Sequence, residues 1–291
     1  MNQSNYRDIV RNCYLKFLNR EPDDEGWNSY VRQMETKEID ENKLIEIFKN
    51  SLEYKLAYPI ELDKNTPIDI KMKKEWDARA KANPLFVIAT DHSKSEDDFW
   101  NSGIKESKKI LGIGTHRFQE ITKNKDPSKM RILEIGCGIG RILLPMSKIF
   151  GESIGIDISS EMVQQGQKHI VNIPNCKILE NDGIDLALFS DNDFDFCYSF
   201  IVFQHIPDKK IVENYINEVS RILKPECLFR FQVRGTISTK PQEVTTWDGV
   251  QFSSKEIHEM ATKYNFDIIE EGDDKSEYYW LTFKLKNRIY N

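Results

Sequence analysis

The chain has 291 residues, with 41 Lys and Arg against 47 Asp and Glu and a formal charge of −6. Its basic residues are spread along the sequence, so the electrostatic footprint of a nucleic-acid binder is missing. No run of about 18 apolar residues occurs, and the polar start lacks the apolar core of a secretion signal; a chain that neither spans a membrane nor is exported is expected.

The five cysteines, Cys13, Cys137, Cys176, Cys197 and Cys227, are scattered and odd in number. With no C-x-x-C or Cys/His ligand spacing, they point to a reducing, cytoplasmic setting and to no metal site.

Residues 5–58 carry helical periodicity throughout. Tyr6, Ile9, Val10, Cys13, Tyr14, Phe17 and Leu18 share one face, and Arg20–Gly26 supplies a turn. Trp27, Tyr30, Val31 and Met34 continue the spacing, and a third helix is expected from Asp40, with Ser51 capping a last short turn. Residues 1–60 are thus read as a small all-α domain without catalytic groups.

The polar stretch 61–70, with Pro67, reads as a linker. Helical patterns at 71–83, 95–111 and 115–122, together with the short apolar Leu85–Ala89, make 71–129 a helical extension in the position of a lid or of simple packing against a sheet. Trp76 and Arg79 are candidates to cap a site or reach a carboxylate there.

From Met130 onwards strands and helices alternate, which predicts a parallel sheet with helices on both faces. Strands are expected at 130–135, 154–158, 176–179, 194–199, 228–233, 266–270 and 278–285. No crossover helix fits between the last two, so the final pair should be antiparallel. The first strand ends in Glu134 and breaks into Gly136-Cys137-Gly138-Ile139-Gly140, a turn where backbone must approach something closely, and a helical pattern follows at once, offering unpaired amides. The spacing is G-x-G-x-G, and Arg141 stands where a dinucleotide fingerprint wants its third glycine. An acid before the turn repels a pyrophosphate and attracts an ammonium. Asp157, 23 positions after Glu134, ends the second strand.

These residues resemble a class I S-adenosylmethionine-dependent methyltransferase over 130–286, within a catalytic domain read as 130–291. The resemblance implies an α/β, Rossmann-like seven-stranded sheet with the last strand antiparallel, S-adenosyl-L-methionine as cofactor, and methyl transfer as the activity. Matched by motif, Glu134, Gly136, Cys137 and Gly138 would seat the methionine end and Asp157 both ribose hydroxyls. Ile158 and Met162 would pack on adenine, Asp182 and Gly183 would lie beside it, and Ser199 belongs to the motif at the exit of the fourth strand. Glu226-Cys227 replaces two glycines usual after Leu223-Lys224-Pro225, a departure expected to touch only a surface turn.

His205, just past the fourth strand, is the candidate base or else a loop-fixing residue; Gln204, Gln232 and Arg234 are further candidates for the acceptor pocket. The Asn/Asp-Pro-Pro-Tyr/Phe motif of amine-directed enzymes is replaced by Ser199-Phe200-Ile201-Val202, and Asp208 alone makes no metal-assisted site. A hydroxyl or carboxyl on a small molecule or sugar is the expected acceptor. A non-catalytic cofactor-binding scaffold and a nicotinamide oxidoreductase are the alternatives.

Residues 14–23, Gly26, Tyr30 and Phe48–Tyr54 resemble a bacterial helical domain of unknown function, distantly related to phycobilisome linkers. That resemblance implies an interaction role beside glycan-modifying domains, hence a possible protein partner.

Overall fold

The computed structural model describes residues 3–18, 20–237 and 244–287. Asn19, within the segment that resembles the helical domain, lies outside them.

The helical module comprises α1 (Gln3–Cys13), continued by a wider π turn over Tyr14–Leu18, then α2 (Asp24–Glu35), α3 (Glu41–Asn50) and α4 (Leu52–Ala57). Side chains of Asp23, Asp40 and Ser51 cap the last three, each satisfying an amide that the helix leaves open. The apolar stripes close on their own core, with Tyr14 and Phe48 edge-to-face at 4.9 Å. The motif residues of this segment serve that core. Arg20 lies over the Tyr14 ring and pairs with Glu53 at 2.7 Å and Asp23 at 3.1 Å. A Cβ on Gly26 would fall 1.9 Å from the Tyr14 hydroxyl.

Helices α5 (Ile68–Ala82), α6 (Pro84–Ile88), α7 (Glu96–Leu111) and α8 (His116–Thr122) come next. The helix expected from Lys71 starts at Ile68, just after Pro67, whose fixed φ suits a helix entry, so the linker is shorter than 61–70. The sheet then follows: β1 (Arg131–Ile135), α9 (Leu143–Ser147), β2 (Glu152–Asp157), α10 (Ser160–Ile170), β3 (Cys176–Glu180), β4 (Phe194–Ser199), α11 (Lys209–Ile222), β5 (Leu223–Gly235), β6 (Gln251–Phe252), α12 (Ser254–Lys263), β7 (Phe266–Glu271) and β8 (Tyr279–Leu285).

The main strands run in the order β3-β2-β1-β4-β5-β8-β7, with β6 added beside β5. Strands β1 to β5 are parallel, and β8 is antiparallel to both neighbours. This is the seven-stranded, Rossmann-like methyltransferase sheet expected from the sequence, plus the two-residue β6. Phe203, Phe229, Phe231 and Phe283 fill the layer between β5, β8 and the covering helices, each such ring contributing about 2–3 kcal/mol by burial.

Strand β5 begins at Leu223 rather than 228, because Leu223 pairs with Phe194 before a register shift. Pro225 and Glu226 look like a turn in the sequence, yet they form an irregularity inside the strand. Glu226 takes the left-handed conformation (φ 64°) that a glycine would adopt freely.

Two contacts bind the helices before the sheet to it. Asp77 of α5 accepts from the Ser159 hydroxyl at 2.6 Å and the Glu161 amide at 3.1 Å, capping α10 from outside. Arg79, only 2% exposed, donates to the Leu56 carbonyl and the Thr246 hydroxyl, both at 2.8 Å. It thereby ties the helical module to the loop after β5. Arg79→Lys keeps the charge but loses the planar fork; a stability loss of about 1–2 kcal/mol is expected, read as a lower midpoint in thermal denaturation. An unchanged midpoint would show the tie to be idle.

Candidate functional site

The strand order reverses between β1 and β4, and the crevice outside the carboxyl ends there is where α/β sheets bind ligands. A mainly apolar cleft lies at that point, walled by Met72, Trp76, Ile135, Ile158, Met162 and Val202. Its floor is the glycine turn. Gly136 and Gly138 have φ of 74° and 54°, and a Cβ on Gly136 would fall 2.3 Å from Val202.

The turn's amides are not aimed at a ligand. Those of Gly136 and Cys137 donate to the Ile156 carbonyl, and that of Gly138 to Asp157 at 2.8 Å. Helix α9 begins only at Leu143 and is five residues long. The first amides of the turn are therefore closed on β2, and the helix expected at once after it is set back to Leu143.

Two acids face this floor, Glu134 buried and Asp157 half-buried. Glu134 accepts from the Tyr198 hydroxyl at 2.9 Å, and burial pushes its carboxyl up to about 8. Asp157 accepts from the amides of Gly138 and Ser159; burial raises it to about 6 despite those bonds. Arg141 closes the far side, its Nη1 on Ser102 at 2.9 Å while its buried Nε has no hydrogen-bond partner.

An ammonium beside Glu134, a carboxylate beside Arg141 and a diol beside Asp157 would satisfy these groups, so the residues fit S-adenosylmethionine. Ile158 and Met162 add the apolar wall suited to its adenine. Because free Glu134 is mostly protonated at pH 7 and an ammonium favours the carboxylate, cofactor binding should release up to one proton and tighten as pH rises towards 8. Calorimetry in buffers of different ionisation enthalpy reads this directly; no proton release would remove Glu134 as the ammonium's partner.

His205 stands at the rim, between the indoles of Trp76 and Trp247 with centroids at 5.4 and 5.1 Å. Its Nδ1 meets the Trp247 carbonyl. A carbonyl only accepts, so Nδ1 carries the proton and Nε2 the lone pair. Burial pushes its pKa down to about 4, with Arg79 and Arg234 adding to the effect. The ring is neutral and base-competent at pH 7. Beyond it opens a second cavity of about 1040 Å³, which shares Arg141, Phe200, Ile201 and His205 with the first.

Of the residues singled out in the sequence, the cleft brings together Glu134, Gly136, Cys137, Gly138, Asp157, Ile158, Met162, Gly183 and His205. Asp182 and Ser199 do not line it. The Asp182 carboxylate caps its own turn through the amides of Ile184 and Asp185, and Asn181 takes the place beside the cleft. Ser199 is buried, donating to the Ile135 carbonyl at 3.0 Å. Arg79 turns away towards the helical module, whereas Trp76 does wall the cleft. Gln204 and Arg234 line the second cavity.

Gln232 acts from behind, its Oε1 accepting from the amide of Ile201 at 3.0 Å. Ile201 has φ of 55°, a costly conformation for a β-branched residue. Tyr215, which holds Asn181 at 2.9 Å, also lines the cleft; its helical spacing reads only as core. Among the described residues, no group of three or more His, Cys, Asp or Glu side chains is placed to hold a metal, and no helix is long and apolar enough to cross a membrane.

Comparison with known proteins agrees with this geometry. Residues 132–226 match the family model described as a methyltransferase domain, and residues 2–58 match a domain of unknown function (DUF4214). A demethylmenaquinone methyltransferase of Staphylococcus carnosus is 33% identical over 98 residues, 33% of this chain and 39% of that protein. One from Staphylococcus aureus is 31% identical over 99 residues, again 39% of its length. The chain thus spans well under half of these relatives.

Among solved structures, phosphoethanolamine N-methyltransferase 1 of Haemonchus contortus, in complex with phosphoethanolamine and S-adenosylhomocysteine, superposes with a TM-score of 0.57 at 13% identity. The match covers 78% of this chain and 52% of that one. A S-adenosylmethionine-dependent methyltransferase from Methanosarcina mazei gives 0.47 at 21% identity, over 58% of this chain and 98% of that one. At 13% identity the likeness to the Haemonchus contortus protein concerns the fold alone. Sheet, cleft and family match together identify residues 132–226 as a methyltransferase domain of the class I, S-adenosylmethionine-dependent kind.

Proposed function

We propose that the chain transfers a methyl group to a hydroxyl of a polar small molecule or sugar, in the cytoplasm. The observation that carries this reading is His205, a neutral imidazole with Nε2 unprotonated, set where the cofactor cleft opens into a second, polar cavity. When bound, S-adenosylmethionine supplies an electrophilic methyl on a sulfonium. The protein's part is to align and to move a proton: the glycine turn, Glu134 and Asp157 fix the cofactor, and His205 takes the proton that an alcohol loses as it is methylated. Met72 and Trp76 of α5 and Val87 and Ile88 of α6 wall the cleft, which supports the lid reading of 71–129.

The quinone acceptor in the names of the curated relatives is not carried over. A prenylated ring wants an apolar pocket, whereas Asp91, Glu106, Asp248 and Glu277 line the second cavity here. The test is formation of S-adenosylhomocysteine with a panel of glycans and small hydroxyl acceptors. Turnover with an acceptor but not without one supports the enzyme. Cofactor binding with no turnover on any acceptor would leave a scaffold, and tight NAD(P) binding with none for S-adenosylmethionine would overturn the reading.

A further inference from the structure

The second cavity does not end on the methyltransferase domain. Arg234, Trp247 and Asp248 line both it and a third cavity of about 670 Å³, whose opposite wall is Phe17, Arg20, Glu53 and Tyr58 of the helical module. The two cavities thus adjoin across these residues and together line the way from His205 to the module.

The chemistry of this groove is specific in two ways. Deep in it, Gln204, 6% exposed, has an Oε1 with no hydrogen-bond partner, and the buried Nε of Arg234 has none either. One asks for a donor and the other for an acceptor, and a hydroxyl supplies both. Among the described residues the two outer arginines of the groove are already paired with acids, and Arg141 at its inner end also faces the cofactor cleft. Arg234 faces Asp248 at 2.9 Å and Glu277 at 3.8 Å, and Arg20 is held by Glu53 and Asp23. The two cavities count five carboxylates, Asp91, Glu106, Asp248, Glu277 and Glu53, against three arginines. Phosphate- or carboxylate-bearing acceptors would be repelled. Aromatic rings beside planar charged pairs suit the mixed apolar and hydroxyl faces of a sugar.

We infer that the helical module is the outer half of the acceptor site, and that the acceptor is an extended, uncharged oligosaccharide reaching from His205 to Tyr58. This rests on the methyl-transfer reading for its direction, but its binding is measurable apart from turnover. The probe is a series of linear neutral oligosaccharides of one to six hexose units, with S-adenosylhomocysteine-loaded protein for binding by saturation-transfer NMR and S-adenosylmethionine for rates.

Affinity, and KM where turnover occurs, should improve at least tenfold from the monosaccharide to the longer members. Tyr58→Ala should abolish that gain while leaving monosaccharide binding unchanged; Glu53→Gln should reduce it, thermal melting confirming that both variants fold. Length-independent binding, no binding of any member, a folded Tyr58→Ala that keeps the gain, or tighter binding of acidic oligosaccharides than of neutral ones would each overturn the inference. Length-dependent binding without methylation would sustain the groove and remove the hydroxyl-methylation reading instead.

Discussion

Replacing His205 with alanine should lower kcat by about 100-fold or more, the usual contribution of a positioned general base, while leaving the affinity for S-adenosylmethionine within about twofold. The wild-type kcat/KM profile carries the more telling signature. With the free imidazole held near 4 by burial between Trp76 and Trp247, the acid limb should fall near pH 4 rather than near the ordinary histidine value of about 6.5. Measured for the acceptor at saturating S-adenosylmethionine, where the effect of Glu134 on cofactor binding drops out, activity rises as His205 loses its proton and is flat above.

The same shift bears on stability with a definite sign. Between pH 6.5 and 4 the unfolded chain binds the proton first, so His205's contribution is complete above the upper value and is lost as pH falls through that window. Glu134, raised to about 8, works in the opposite direction: its contribution is present at low pH and fades as pH rises through 8. Full activity in His205→Ala would leave the histidine as a loop fastener, whereas an acid limb near 6.5 in the wild type would show that burial does not depress its pKa.

The second large effect belongs to Asp157. Asp157→Ala should weaken S-adenosylmethionine binding at least tenfold by calorimetry, since a charged acceptor facing the ribose is lost. The loss has two sources. The carboxylate also holds the amides of Gly138 and Ser159, so its removal frees the glycine turn from β2 as well as stripping the diol site. Asp157→Asn separates them: its single carbonyl oxygen can accept only part of this set, and its affinity should fall between those of wild type and alanine. Equal affinity in all three proteins would place the ribose elsewhere.

The strands, the antiparallel closing pair and the cleft floor were legible because they rest on local signals: apolar runs ending in acids, glycines where only glycine fits, and a closing hairpin too short for a crossover. What escaped was set by geometry between distant segments. Asp182 reads as the better adenine partner by chemistry, yet Asp157 pairs with Glu180 across the sheet, and the chain leaves β3 with Asn181 towards the cleft and Asp182 turned back on its own loop. Tyr215 carries a core residue's spacing, and only the packing of α11 shows that it also faces the cleft. Arg79 looked like a reach towards a carboxylate because a helix ahead of the sheet suggests a lid; its destination depended on where the helical module folds back. The left-handed backbone of Ile201 has no sequence signal, since nothing local in Ile favours it.

Arg79 bears on how such a chain could have been assembled in evolution. Its guanidinium lies against the Trp76 and Trp247 rings, donates one hydrogen bond to each half of the molecule, and stands 3.7 Å from buried Glu75. A gene fusion that merely strung a helical module ahead of a methyltransferase would have left that cation without its Leu56 partner. Exchanging the first sixty residues for those of a distant relative would do the same wherever the incoming module ends in a different backbone path. The halves are thus poor material for shuffling and are expected to be inherited as a pair.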